Sequence, residues 1–163
     1  MIQITDTKRQ NKEALKYILN IYDLRKQYAE QMESVSILGA ANNDGMPHGS
    51  GVGDPCANKA FSLIEIERKK RWIMSIEMAE QTLSEKTRKF LEYRRDAESQ
   101  IQRETHKEGG RPSWVPYVQC HYADWFRDRY GRDSMLSQQY MSIMMQKVVD
   151  VTVRIAIYNG CFS

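Results

Sequence analysis

The amino-acid sequence predicts an all-α protein. Apolar residues recur at intervals of three and four over several long stretches, which is the spacing of one face of a helix. No stretch shows the strict alternation of apolar and polar residues that a half-buried strand requires. Glycine and proline are concentrated between the periodic stretches. We expect an N-terminal antiparallel helical hairpin over residues 1–83, with a glycine-rich loop at 39–53, and a C-terminal helix-turn-helix-like helical region over residues 84–163.

The composition describes a globular chain that can bury one ordinary core or two small ones. Of its 163 residues, 41% are hydrophobic and 28% are charged, which excludes a disordered or fibrous protein. The net charge of +3 permits nucleic-acid binding but does not argue for it, because the placement of charge matters more than its total.

The cysteines and the apolar runs indicate the cellular compartment of the protein. Cys56, Cys120 and Cys161 are far apart and show neither a disulfide framework nor metal-ligand spacing. The first residues lack the apolar core of a secretory signal, and no apolar run is long enough to span a bilayer. We therefore expect a protein of the reducing cytoplasm that does not enter the membrane.

The first helix is expected from about Asn11 to Val35. The segment after it, GAANNDGMPHGSGVGDP, predicts a flexible loop. A phosphate-binding loop is rejected, because no Gly-Lys-Ser/Thr follows and no apolar strand precedes it. The apolar stripe of this helix comprises Leu15, Ile18, Leu19, Tyr22, Ala29 and Met32.

A second helix is predicted to start at Asp54 and Pro55, with Asp54 as N-cap and Pro55 in the first turn. The basic run at 68–71 is either a solvated face or a patch that contacts a partner such as phosphate. The first two helices are expected to pack antiparallel with a coiled-coil-like seam. The apolar stripe of the second helix comprises Phe61, Ile64, Trp72, Ile76 and Ala79.

Three further helices are expected. Residues 82–85, Thr-Leu-Ser-Glu, match a capping box that starts one helix, and 107–112, KEGGRP, predict the turn that follows it. Trp114–Tyr158 predicts two helices that are separated by a turn at Gly131, and we expect Phe162 to fold back onto the bundle. The expected apolar stripe of the last helix comprises Tyr140, Met144, Val148, Val151 and Ile155.

No catalytic or metal-binding constellation emerges from the sequence. His48, His106 and His121 do not pair with cysteine or carboxylate at ligand spacing. Cys120 is adjacent to His121, but neighbouring side chains on a helix point in different directions. We expect Cys120 to be buried as a small hydrophobe, and we expect no enzyme, no cofactor and no metal.

The junction of the last two helices is the best candidate for a binding surface. Gln138 and Gln139 can pair with adenine at the start of a recognition helix, and the nearby arginines can contact phosphates. The interval from Ala123 to Gly131 exceeds that of a tight helix-turn-helix, so the first helix must be extended or the turn enlarged. The alternative is an ordinary helical hairpin with a solvated, arginine-rich turn. The predicted DNA-binding residues are Arg111, Arg127, Arg129, Arg132, Ser137, Gln138, Gln139, Tyr140, Ser142 and Lys147.

Four stretches, in this order, resemble the phage late-gene transcriptional regulators of the ArpU/RinA type. They are YILNIYDLRKQYAEQ, DPCANKAFSLIEIE, LSEKTRKFLEYRR and the final pair YADWFRDRYG and LSQQYMSIMMQKVVD. The resemblance covers the layout of most of the chain through short motifs. It implies a helix-turn-helix similar to region four of sigma factors, double-stranded promoter or operator DNA and RNA polymerase as partners, and a bacterial host cytoplasm. It puts Ser137, Gln138, Gln139 and Tyr140 at the start of the recognition helix.

Two hypotheses follow from the sequence. The first is a sequence-specific DNA-binding transcriptional regulator that is encoded by a phage. The second is a helical phage assembly protein, such as a packaging factor similar to a terminase small subunit, or a protein-binding inhibitor. In the second hypothesis residues 11–83 supply the seam between subunits. We expect a homo-oligomer.

Overall fold

The computed structural model describes residues 4–41, 55–104 and 110–162. Most of the predicted glycine-rich loop lies outside these residues, as do His48 and His106. Within the described ranges the chain is helical without strands, which confirms the all-α prediction, and no helix there is both long and apolar enough to cross a membrane. The helices are α1 (Ile4–Leu19), α2 (Ile21–Ala41), α3 (Pro55–Thr82), α4 (Glu85–Glu104), α5 (Val115–Tyr130) and α6 (Gln138–Tyr158).

The first predicted helix is divided in two at Asn20. The Asn20 side-chain amide donates a hydrogen bond to the Lys16 carbonyl at 2.8 Å, which competes with regular helical bonding. The second half of the predicted stripe is wrong, because Tyr22 and Met32 are exposed while Leu24 is buried. The interruption at Asn20 turns a different set of α2 side chains inward.

α2 lies alongside α3 and runs in the opposite direction. Arg25 forms an ion pair with Glu77 at 2.9 Å, and further along α2 the Gln31 side chain accepts a hydrogen bond from Lys69 at 2.9 Å. Residue numbers therefore rise along one helix as they fall along the other. α3 begins at Pro55, as the sequence predicted.

The basic run at 68–71 connects α3 to its neighbours. Arg68 pairs with Glu13 of α1, Lys69 bonds to α2, and Arg71 donates to the carbonyl of Gly160 after α6 at 3.4 Å. Three of the four cations thus contact neighbouring elements, while Arg68, Lys70 and Arg71 remain exposed, so the run is a solvated face that also connects α3 to its neighbours.

The first hydrophobic cluster surrounds the buried Trp72 of α3. Its ring lies 4.8 Å from that of Tyr17 and 5.1 Å from that of Phe162, measured between centroids. The contact with Phe162 confirms that the C-terminal tail folds back onto the helices. The buried members of this cluster are Ala14, Ile18, Ile21, Leu24, Trp72, Ile76, Leu83, Leu91, Val148, Val149, Val153, Ala156 and Cys161.

A second cluster fills the space between α4, α5 and the start of α6. Since α6 contributes to both clusters, the core joins parts of the two predicted ranges, 1–83 and 84–163. The predicted stripe of α6 is wrong at Tyr140, which is exposed, because the helix is rotated to bury Met141 instead. The buried members of the second cluster are Phe90, Ala97, Val118, Tyr122, Phe126, Leu136, Met141 and Met144.

Buried arginines on α4 complete the core. Arg95 forms an ion pair with Glu80 of α3 and donates to the Ile18 carbonyl of α1 at 2.7 Å. Arg94 donates to Glu98 at 2.8 Å, and its guanidinium lies 4.4 Å from the centroid of the Trp114 ring. A buried charge is tolerated only when it is paired, so these contacts fix α4 between α3 and the start of α5.

The cap of α4 differs from the predicted capping box. Ser84 accepts a hydrogen bond from the Thr87 backbone N–H at 3.3 Å, whereas the Thr82 hydroxyl donates to the Ala79 carbonyl at 2.7 Å. Because α3 continues to Thr82, that residue cannot cap the next helix, and the cap falls on Ser84.

Cys120 and Cys161 lie in different environments. Cys161 is buried, its Sγ is 3.5 Å from the Ser75 Oγ, and burial raises the pKa of its thiol. Cys120 is exposed, so the prediction that it is buried was wrong. The reason is that α5 turns Val118 and Tyr122 inward, which directs Cys120 to solvent.

Replacement of Trp72 by alanine is expected to destabilise the chain by about 3–5 kcal/mol, because it removes the ring at the centre of the first cluster and leaves a cavity. The free energy of unfolding from urea titration tests this. The control is Met135→Ala at a side chain that is 74% exposed, which should change it by less than about 0.5 kcal/mol. Equal losses in the two variants would contradict the assignment of Trp72 to the core.

Candidate nucleic-acid interface

The turn between α5 and α6 is built by local capping. Gly131 ends α5 in the left-handed conformation, with φ of 65°, and its N–H donates to the Arg127 carbonyl at 2.8 Å. Ser137 starts α6, and its hydroxyl accepts a hydrogen bond from the Tyr140 N–H at 3.1 Å. Both capping residues were predicted from the sequence.

The turn is long, and the rest of the chain holds it in place. Leu136 is buried in the second cluster, and its carbonyl accepts a hydrogen bond from the Gln119 side chain at 2.8 Å. α5 extends to Tyr130, and residues 131–137 connect it to the start of α6. The start of α6 is therefore fixed relative to α5.

α6 has one buried and one exposed face. Near its start Met141 and Met144 are buried, whereas Gln138, Gln139 and Ser142 are exposed. The Ser142 hydroxyl donates to the Gln138 carbonyl at 3.1 Å, which leaves its oxygen able to accept. Every site residue that was predicted on α6 lies on the solvent side, including Tyr140 and Lys147.

Two residues of this exposed face were missed by the sequence analysis. Ile143 and Gln146 follow Gln139 by one and two helical turns and are both exposed. The Gln146 side chain donates to Asp150 at 2.8 Å. They lie four and seven residues after Gln139, a spacing that places residues on one face of a helix. The apolar stripe that was expected for the last helix did not include this face, so the sequence did not single them out.

The arginines at the turn are engaged by carboxylates. Arg127 donates to Asp133 at 2.7 Å, and Arg129 donates to Glu85 of α4 at 3.2 Å. The guanidinium of Arg132 lies 6.0 Å from the centroid of the Phe126 ring. The turn therefore carries positive and negative charge together, and phosphate must compete with carboxylate for two of its three arginines.

These ion pairs alter the pKa values of their members. The hydrogen bond to Asp133 raises the pKa of Arg127. The hydrogen bonds from Arg129 and Tyr130 lower the pKa of Glu85, so this carboxylate stays ionised at neutral pH.

Arg111 lies away from the turn. It donates to Glu98 in the second half of α4 at 2.7 Å, whereas Arg129 contacts Glu85 at the first residue of α4. α4 and α5 are thus antiparallel, and the length of α5 separates Arg111 from the turn by about 24 Å. The structure brings together the predicted residues from 127 to 142 but not Arg111.

α5 and α6 each pack mainly against other helices. The closest approach of α5 is to α4, and that of α6 is to α3 and α1. α5 and α6 meet through side chains of the second cluster, such as Tyr122 and Met141. The pair therefore shares its buried clusters with α1, α2, α3 and α4, and these contacts hold α5 and α6 in place.

Within the described part of the chain, no three His, Cys, Asp or Glu residues are grouped to hold a metal ion. The comparisons with protein-family models, curated proteins and solved structures found no match to this chain.

The environment of Tyr122 between α5 and α6 predicts a loss of stability at high pH. Burial raises the pKa of Tyr122 from 10.0 to about 12. The unfolded chain therefore releases this proton at lower pH than the folded chain, so the stability is full below about pH 10 and falls between about pH 10 and 12.

The Tyr122→Phe variant has no phenol group to titrate at this position. Its melting temperature should therefore fall less steeply between about pH 10 and 12 than that of the unmodified chain. Thermal unfolding at a series of alkaline pH values measures the two slopes. Identical slopes would contradict the burial of the Tyr122 hydroxyl.

Proposed function

We propose that this chain is a sequence-specific DNA-binding transcriptional regulator that inserts the start of α6 into the major groove. The observation that carries the proposal is the exposed face of α6, where Gln138, Gln139 and Ser142 face solvent while Met141 and Met144 are buried. A recognition helix needs this division, since one face must contact bases while the other is held by the protein.

The exposed side chains have the chemistry of base recognition. A glutamine amide can donate to N7 and accept from N6 of adenine in one bidentate pair, and a serine hydroxyl can bond to a base or a phosphate. Ile143, which is exposed one turn after Gln139, offers an apolar contact for the methyl group of thymine. This set favours a target that contains A·T pairs.

The phosphate contacts come from the turn. Arg127, Arg129 and Arg132 are exposed beside the start of α6, and the N–H groups of its first turn form the positive end of the helix dipole. Exposed ion pairs contribute little to stability because water and salt screen them, so Arg127 and Arg129 can exchange the carboxylates of Asp133 and Glu85 for DNA phosphates.

The layout of the chain, which resembles the phage late-gene regulators, agrees with this proposal. A regulator of that type binds promoter or operator DNA, and we extend the proposal to RNA polymerase as the partner and to a phage origin. Selection of bound duplexes from a random pool tests the central claim. Enrichment of one motif supports it, and the absence of duplex binding at low salt overturns it.

The double variant Gln138→Ala, Gln139→Ala is expected to lose sequence preference while it keeps non-specific binding. Each lost base contact should reduce the discrimination against a mismatched site by about 1–3 kcal/mol. The measurement compares affinities for the selected duplex and a scrambled duplex. Gln100→Ala, at an exposed position of α4, is the control and should keep the full ratio. An unchanged ratio in the double variant would exclude the start of α6 as the recognition element.

Arg127→Ala and Asp133→Asn are expected to act in opposite directions on all duplexes alike. The first removes a phosphate contact and should reduce the slope of log affinity against log salt by about 1. The second releases Arg127 from its ion pair and should strengthen binding. Fluorescence anisotropy over a range of salt concentrations measures both. Weaker binding by Asp133→Asn would mean that Arg127 does not contact phosphate.

A further inference from the structure

The outer face of α1 is a row of cations that we call the basic ridge. Because each residue of a helix turns by about 100°, the four positions fall within an arc of about 100° on one side of α1. All four side chains are exposed, whereas Ala14 and Ile18 on the opposite side are fully buried in the first cluster. The ridge therefore points away from the core. Its members are Lys8, Arg9, Lys12 and Lys16.

The basic ridge has no compensating carboxylate. Among the described residues its four side chains form no ion pair and no hydrogen bond, and only Lys16 has a ring contact, at 5.9 Å from the centroid of Tyr17. The two acidic residues of α1, Asp6 and Glu13, lie outside the arc on the side of α3, and Glu13 is paired with Arg68. The positive charge of the ridge is therefore open to an external anion.

Like charges repeat along the ridge once per helical turn. Lys8, Lys12 and Lys16 follow one another at intervals of four residues, and like charges at this interval destabilise a helix. α3 instead places opposite charges four residues apart, as in the pair of Glu67 and Arg71. The whole chain has a net charge of only +3, so the ridge is a local concentration of charge. Such a concentration attracts a polyanion.

The chemistry of the ridge distinguishes between anionic partners. None of the exposed large hydrophobic side chains that the structure describes lies on α1. A stable protein interface has an apolar or aromatic centre, and a helix that binds in a membrane surface inserts an apolar face. A phosphate backbone, by contrast, is bound mainly by lysine, arginine and polar groups. The composition of the ridge therefore favours nucleic acid over an acidic protein or a lipid surface.

The length of the ridge suits a contact with several phosphates. Its members span about 12 Å along the axis of α1, at about 6 Å between successive lysines. Duplex DNA carries one negative charge per about 1.7 Å of its axis. A straight row of cations of this length can therefore neutralise several phosphates at once.

We propose that the basic ridge of α1 binds the phosphate backbone of duplex DNA without regard to sequence. Cations that neutralise phosphates release the condensed counterions of the duplex, so the contact strengthens binding to all sequences alike and weakens as salt is added. The ridge does not include the start of α6, so the proposal stands whether or not α6 recognises bases.

The test measures the affinity of the full chain for a scrambled duplex by fluorescence anisotropy at a series of salt concentrations. The ridge variant is Lys8→Gln, Arg9→Gln, Lys12→Gln, Lys16→Gln. Its slope of log affinity against log salt should be smaller by about 2 to 4, and its affinity at low salt should fall at least about tenfold. Circular dichroism and the melting temperature should be retained, since all four side chains are exposed.

The matched control removes the same number of charges at exposed cations that form no ion pair among the described residues. Because these cations lie apart from one another on α2, α3 and α6, the control should keep the slope of the unmodified chain within about 1. The control variant is Lys26→Gln, Lys59→Gln, Lys70→Gln, Arg154→Gln.

Three results would overturn the proposal. An unmodified chain with no affinity for the scrambled duplex at low salt would leave the ridge without DNA. An unchanged slope in the ridge variant would place the phosphate contacts elsewhere. Equal losses in the ridge variant and the control would mean that net charge attracts DNA and the ridge does not.

The same measurements separate this proposal from base recognition by α6. The ridge variant should weaken binding to a selected and a scrambled duplex alike and keep the ratio of the two affinities. Gln138→Ala, Gln139→Ala should lose that ratio and keep the salt slope for the scrambled duplex. Since the scrambled duplex needs no selected motif, a failure of base recognition leaves the test of the ridge intact.

Discussion

The burial of one face of α6 is the constraint on which the rest of the structure depends. Met141 and Met144 fill the second cluster with α4 and α5, while Val148 and Val153 fill the first cluster with α1 and α3. Because close-packed side chains at both ends fix the rotation of the helix, its opposite face, with Gln139, is held towards solvent. A surface on a rigid helix suits recognition better than one on a loop.

Ion pairs play two different parts in this molecule. Those of Arg94 and Arg95 are buried. Arg94 pairs with Glu98 within α4, whereas Arg95 pairs with Glu80 of α3, and removal of one partner from such a pair costs about 3–5 kcal/mol. Those of Arg127 and Arg129 at the turn are exposed and contribute much less. The first group is therefore structural, while the second can exchange its carboxylates for an external anion.

α3 extends beyond the core that its second half helps to form. Trp72 contacts Tyr17 of α1 and Phe162 of the C-terminal tail, whereas Phe61 in the first half of α3 is exposed. The apolar pattern continues from the buried second half of α3 into its exposed first half, because the periodicity belongs to the amino-acid sequence of α3 and not to the elements that cover the helix.

The sequence by itself determined the helical class, the start of α3 at Pro55, the end of α5 at Gly131 and the start of α6 at Ser137. Proline, glycine and a capping hydroxyl act within a few residues, so these boundaries do not depend on distant parts of the chain. The sequence also grouped the polar residues at the start of α6. Only the tertiary structure decided the break at Asn20, the exposure of Cys120, the pairing of Arg127 and the separation of Arg111 from the turn. These outcomes depend on which helices meet, and that is set by contacts between residues far apart in the chain.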